Sequence, residues 1–236
     1  MNDQLAAFAE GRILYLNKPL HWTSFDVVNR VRGVLCRALG TKKLKVGHAG
    51  TLDPLATGVM VLCTGKATKQ IDRLQAGVKE YVATLELGAT TPSFDLEHPV
   101  DAHYPTEHIT RALVDEVLQQ FRGEIWQVPP VYSAVKIDGK RAYDYARKAQ
   151  EVEIQPKLLV IDELEVLHFA LPVLTIRVVC SKGTYIRALA RDIGRALHSG
   201  AHLTALQRTR VGDVSLADCR EIDELVADIT AMTSEK

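Results

Sequence analysis

Two strand-like runs separated by three residues, 158–169 and 173–180, constrain the fold more than any other feature of this chain. So short a connection joins antiparallel neighbours, because a parallel pair needs a crossover of a dozen residues or more. Residues 79–87 add a clean alternation, with Tyr81, Ala83, Leu85 and Leu87 on one face and Glu80, Val82, Thr84 and Glu86 on the other. Further strands are predicted at 12–17, 59–63, 132–137 and 202–211, and helices at 23–39, 67–74, 110–121, 141–148 and 184–198. Strands and helices mix without strict alternation. That order predicts an α+β fold with a largely antiparallel sheet flanked by helices, and argues against a doubly wound one.

Local signals sharpen two of the helices. Thr23 with Asp26 reads as a capping pair, Gly40 sits at a C′ position, and Phe25, Val28, Val31 and Leu35 share one face. Thr184 is predicted to cap the helix at 184–198, which would place Arg187 near its third position. A cation there opposes the helix dipole by about 0.3–1 kcal/mol. A facing carboxylate would relieve the conflict, and so would an arginine that reaches solvent.

Composition bounds the function. No apolar run approaches a membrane span, and Met-Asn-Asp-Gln-Leu lacks the basic and apolar regions of a signal peptide, so a cytoplasmic protein is expected. Cys36, Cys63, Cys180 and Cys219 are far apart and no histidine stands at ligand spacing, which predicts reduced, mostly buried thiols and no metal. The formal charge is zero, yet residues 11–79 carry 12 Lys/Arg against 3 Asp/Glu, residues 80–169 carry 8 against 16, and residues 170–220 carry 8 against 3. Two basic segments folded together would give a positive face suited to nucleic acid.

The chemistry concentrates in Gly47-His48-Ala49-Gly50-Thr51-Leu52-Asp53-Pro54-Leu55-Ala56-Thr57-Gly58. One carboxylate, Asp53, stands in a loop of small residues, and Arg37, Lys42, Lys43 and Lys45 precede it without an acid among them. Glycine permits close backbone approach to a ligand, while Asp-Pro also starts ordinary turns, so spacing alone leaves both readings open. Asp53 is an obvious partner for Arg187, whose fork could hold it ionised against desolvation. Tyr81 reads either as a core tyrosine or as a surface on which a base stacks. Gly58 to Lys66 lacks phosphate-loop spacing, and no serine stands in a nucleophile elbow.

With these motifs in order, the chain resembles the TruB family of tRNA pseudouridine-55 synthases. The loop matches that family's Gly-His-x-Gly-x-Leu-Asp-Pro-x-Ala-x-Gly element, and Gly65-Lys66-Ala67-Thr68-Lys69, Lys79-Glu80-Tyr81, the run from Pro129 to Lys136, Gly183-Thr184-Tyr185-Ile186-Arg187 and the strand ending in Leu206-Gln207-Arg208 follow at compatible spacing. The resemblance implies the pseudouridine synthase catalytic fold and isomerisation of uridine 55 in the TΨC loop of tRNA, without a cofactor. It implies Asp53 as nucleophile, Arg187 as its partner and Tyr81 stacked on the target base. By the same match His48 holds the flipped nucleotide out of its stack, and Tyr185 and Leu206 line the uracil pocket. Lys18, Lys42, Lys43, Lys45 and Lys69 are candidates for phosphate contacts, the alternative for each being a solvated surface lysine. A base must leave its stack before such chemistry, at a cost of a few kcal/mol.

The resemblance also implies an organisation: a tail at 1–10, a catalytic domain at 11–220 with an RNA-covering segment at about 124–153, and a helix and tail at 221–236 without the PUA-type domain of many relatives. Tyr132, Lys136, Lys140, Arg141, Tyr143 and Arg147 give the covering segment aromatics and cations suited to RNA. Ala49 stands where threonine is common, and Thr91-Pro92-Ser93-Phe94-Asp95 departs from the family's usual pattern. A monomer acting on tRNA with no protein partner is expected. The alternatives are a guide-RNA-dependent synthase and a non-catalytic tRNA-binding or folding module.

Overall fold

The computed structural model describes residues 3–133, 135–137, 139–146, 150 and 152–234. The path runs through helix α1 (Asp3–Glu10), strand β1 (Ile13–Lys18), α2 (Ser24–Leu39), β2 (Val46–His48), β3 (Ala56–Thr64), a 3-10 segment (Gly65–Gln70), α3 (Ile71–Ala76) and β4 (Lys79–Leu87). It continues through α4 (Arg111–Gln119), β5 (Gly123–Gln127), α5 (Ala142–Ala146), β6 (Lys157–Ala170), β7 (Val173–Cys180), α6 (Ile186–Ala196), β8 (Ala201–Val211) and α7 (Ile222–Ser234), with several two-residue strands between. The chain divides into two compact units, one of Met1–Glu80 with Gln207–Lys236 and one of Tyr81–Leu206, so β4 and β8 each contribute residues to both.

In the first unit the strand order is Arg220–Glu221, β1, β3, β8, with β2 also on β3. β1 and β3 are antiparallel, pairing Leu16 with Met60, and β1 runs parallel to Arg220–Glu221. One buried cluster gathers Leu5 and Phe8 of α1, Val27, Val28, Val31, Val34 and Leu35 of α2, Leu16, Met60 and Leu62 of the strands, and Ile222, Leu225 and Ile229 of α7. Within the stretch 1–10, expected as a tail, Asp3–Glu10 thus supply a packed helix. Helix α2 has the predicted ends: Thr23 and Asp26 form a reciprocal capping box and Gly40 takes the left-handed C-cap conformation. Phe25 is the exception, 62% exposed, because the buried stripe of α2 passes through Val27, Val28, Val31 and Val34 instead. A smaller cluster of Ala49, Val59, Val61 and Val211 makes Ala49 a core residue, fully buried.

In the second unit the order is β8, β4, β7, β6, β5. β6 and β7 form the predicted antiparallel pair, and β5 closes that edge antiparallel to β6, with Leu158 opposite Trp126. Tyr81, Ala83, Leu85 and Leu87 are buried as the alternation requires. Three expectations shift. The helix at 67–74 opens as a 3-10 segment, and the strand at 132–137 shrinks to Lys136–Ile137 paired with Lys140–Arg141. The helix at 141–148 is Ala142–Ala146, since Arg141 belongs to the short strand before it and positions 147 and 148 lie outside the described residues. The cysteines are free, with Cys63 and Cys180 buried.

Candidate active site

Asp53, His48 and Lys69 belong to the first unit; Tyr81, Tyr185, Arg187 and Leu206 belong to the second, of which Tyr81 and Leu206 are the first and last residues. Each group is built by its own unit.

In the first unit, β2 brings the chain up beside β3, with His48 opposite Leu62, and the chain leaves the strand at Gly50 with φ of 111°, open to glycine alone. It returns at Ala56, whose amide donates to the Asp53 carbonyl at 3.1 Å. Between these points the backbone is held by side chains from elsewhere. Ser24, the first residue of α2 and buried, donates its hydroxyl to the Leu52 carbonyl (3.0 Å) and accepts from the Leu52 amide (2.8 Å). The Pro54 carbonyl accepts from the His21 amide at 2.8 Å and from Lys18 Nζ at 3.4 Å. Asp53 itself is half-buried.

By sequence Lys18 is a candidate phosphate contact or a solvated surface lysine. It is instead fully buried, its ammonium also donating to the carbonyls of Pro19 and Trp22 at 2.9 and 2.6 Å. Burial pushes its pKa down to about 8, although the negative charge of Asp53 pulls it back up. The His48 imidazole is also shifted down, by burial first and by the Arg208 charge second, with a hydrogen bond to the Gly50 backbone in partial opposition. A neutral ring at this position suits apposition to a base. Lys42, Lys43, Lys45 and Lys69 are exposed as expected. A cavity of about 440 Å³ is lined by Lys43, Lys45, Lys66 and Lys69, with Thr41 and Thr68 beside them.

In the second unit, α6 begins one residue later than predicted. Tyr185 is its N-cap and makes no side-chain cap, so Arg187 is its second residue, and Thr184 donates to the Ser181 carbonyl. The capping work is done by Gln127 of β5, whose amide accepts from Tyr185 N (2.9 Å) and donates to Tyr185 O (3.2 Å). Arg187 is 5% exposed. Its guanidinium lies 3.6 Å from the buried carboxylate of Asp95 and donates to the carbonyls of Ser93 (3.1 Å) and Tyr132 (2.9 Å). The departing segment 91–95 therefore keeps its acid in use. Phe94, in the left-handed region at φ of 62°, lies under the Arg191 guanidinium at 5.1 Å, and its carbonyl accepts from Leu203 N. Sequence reasoning assigned no role to Ser24, Gln127 or Arg208, the last of them present only as the end of a matched strand, since nothing local marks a long-range hydrogen bond. Arg147 lies outside the described residues.

On an α+β fold, the first unit thus carries a carboxylate loop and an exposed lysine-lined cavity, and the second a buried arginine–aspartate pair. Residues 37–186 match the TruB family pseudouridylate synthase N-terminal domain and residues 187–236 the tRNA pseudouridylate synthase B C-terminal domain. The chain belongs to the TruB family of pseudouridylate synthases. It is 68% identical to the tRNA pseudouridine synthase B of Phocaeicola vulgatus, over 92% of each chain. Against the protein of that name from Bacteroides fragilis the identity is 70%, over 90% of this chain and 91% of the relative. Among solved structures, a Cbf5-Nop10-Gar1 complex contains a chain that matches 94% of this one with a TM-score of 0.68 and 29% identity. This chain spans 55% of that longer one.

Proposed function

We propose that this protein isomerises uridine 55 in the TΨC loop of tRNA to pseudouridine, as a stand-alone enzyme with Asp53 as nucleophile. The observation that carries the reading is the Asp53 loop: a half-buried carboxylate on a backbone hydrogen-bonded through every carbonyl from Leu52 to Pro54, in a family of pseudouridylate synthases. The reaction breaks the C1′–N1 bond, turns the uracil and forms a C1′–C5 bond, with the proton lost from C5 balanced by one gained at N1. Aspartate needs no general base for this work at neutral pH. Arg187 orients Asp53, while Tyr81 stacks on the base, Tyr185 and Leu206 wall its pocket and neutral His48 props the nucleotide out of its stack.

Lys69 and its neighbours take backbone phosphates. No cofactor, metal or protein partner enters the scheme, and the enzyme acts as a cytoplasmic monomer whose residues 11–220 form the catalytic domain, about 124–153 cover the RNA and 221–236 add a terminal helix and tail. Relatives named for tRNA support the substrate, and their near-complete mutual coverage supports action without a guide. The alternative reading is a guide-RNA-dependent synthase.

The test is conversion of uridine to pseudouridine in a tRNA transcript by purified protein, with no guide RNA added. Wild type should turn over, and Asp53→Asn should abolish turnover while still binding tRNA. Wild-type-like turnover by that variant would sink the nucleophile assignment, and an absolute need for a guide would favour the alternative.

A further inference from the structure

The scheme above gives no part to Arg208, yet Arg208 is among the largest fully buried side chains of the protein, 1% exposed. An isolated buried guanidinium is costly, so its partners define its purpose. Among the described residues its hydrogen bonds run to three carbonyls of one region. Nε donates to Val59 of β3 at 2.8 Å, and the two terminal nitrogens donate to Thr51 at 3.3 Å and Gly50 at 3.2 Å. We propose that Arg208 is a positioning residue for Asp53, its fork tying the loop that carries the carboxylate to the interior strand β3. The proposal rests on the assignment of Asp53 above.

Three features fit this role. First, the donors are shared between a strand and the loop in the fixed planar geometry of a guanidinium fork, which a lysine's freely rotating, point-like ammonium does not impose. Second, two glycines of the loop make the arrangement possible. A Cβ on Gly58 would lie 2.2 Å from the Arg208 carbonyl oxygen, so only glycine lets β8 come this close. Gly50, at φ of 111°, presents its own carbonyl to the guanidinium. Third, Arg208 completes a series. With Ser24 on Leu52, Ala56 on Asp53, and Lys18 with His21 on Pro54, every carbonyl from Gly50 to Pro54 has a donor. The backbone is fixed on both sides of Asp53. The Arg208 charge also lowers the pKa of His48 and of Lys18, the two basic groups beside the loop.

The test compares Arg208→Lys and Arg208→Gln with wild type. Single-turnover pseudouridine formation, tRNA binding and amide hydrogen exchange are measured on protein shown to be folded. A misplacement of about 1 Å costs on the order of 100-fold in rate, so the chemical step should slow by about that factor while tRNA affinity stays within about threefold. Exchange at the amides of Leu52 and Ala56 should rise about tenfold or more, while that of β6 stays unchanged. Arg208→Gln, which keeps donors but loses the fork, should be as slow as Arg208→Lys. Folded variants with wild-type rate overturn the proposal, and so do variants that lose affinity and rate together. If neither variant folds, Arg208 is a folding residue and the positioning role falls. Should wild type itself fail on tRNA, the parent reading has failed instead, and the exchange of the loop amides still decides whether Arg208 holds the loop.

Discussion

At the scale of single residues, His48 turns its burial into a pH dependence. The unfolded imidazole titrates near 6.5, and the folded one lies below that because burial and the Arg208 charge disfavour the proton. Between those two values the unfolded chain holds more protons than the folded one, so stability rises with pH through that window and is complete above 6.5. Acidification below it should therefore destabilise the protein. The carboxylates held low, Asp26 and Asp218, act only below their ordinary 3.8 and leave this window clear. The urea midpoint of wild type should fall as the pH drops from about 6.5 towards 5. In His48→Gln the fall should be visibly shallower; parallel profiles would show that His48 is not the group responsible. Lys18 illustrates what sequence hides at this scale. A lysine before proline in a basic segment looks solvated, and only the folded chain reveals three carbonyls converging on its ammonium.

Elements were legible where their signals are local. Helix α2 announces its start in Thr23 and Asp26 and its end in Gly40, because a cap bonds within one turn of itself. Its N-terminus also delivers Ser24 to the Asp53 loop, so the cap serves the site as well as the helix. Thr23→Ala should cost about 1 kcal/mol, the usual worth of such a cap. Urea titration should show that loss with an unchanged denaturant slope, and a loss under a few tenths of a kcal/mol would mean the capping box is ornamental. The strands β4, β6 and β7 were readable for a similar reason, since alternation and a three-residue connection need no knowledge of the rest. Helix α6 was not. Its apparent cap, Thr184, bonds back to Ser181, and its real cap comes from Gln127, 58 residues earlier. The same limit explains Arg187. Its opposition to the helix dipole did signal a carboxylate nearby, and within its own unit that carboxylate is Asp95, from a segment whose departure from pattern concealed it.

At the scale of the molecule, the division into units was invisible in composition because it cuts through two strands and joins both ends of the chain in one body. Charge, by contrast, was informative from the start. Residues 11–79 carry a net formal charge of +9, and the fold gathers Lys43, Lys45, Lys66 and Lys69 of that segment around one cavity. These side chains are exposed and make no demand on the core, so their removal should leave the fold intact. Polyanion binding releases counterions, and each phosphate neutralised adds about 0.7–0.9 to the slope of log affinity against log salt. Lys66→Glu with Lys69→Glu should therefore weaken tRNA binding most at low salt and lower that slope by about 1–2. The rate of the chemical step at saturating tRNA should hold, because neither lysine lies in the Asp53 loop. An unchanged slope would show that the cavity meets no phosphate, and a reduced chemical rate at saturation would tie these lysines to the reaction instead. The two results separate a surface that gathers the substrate from a loop that transforms it.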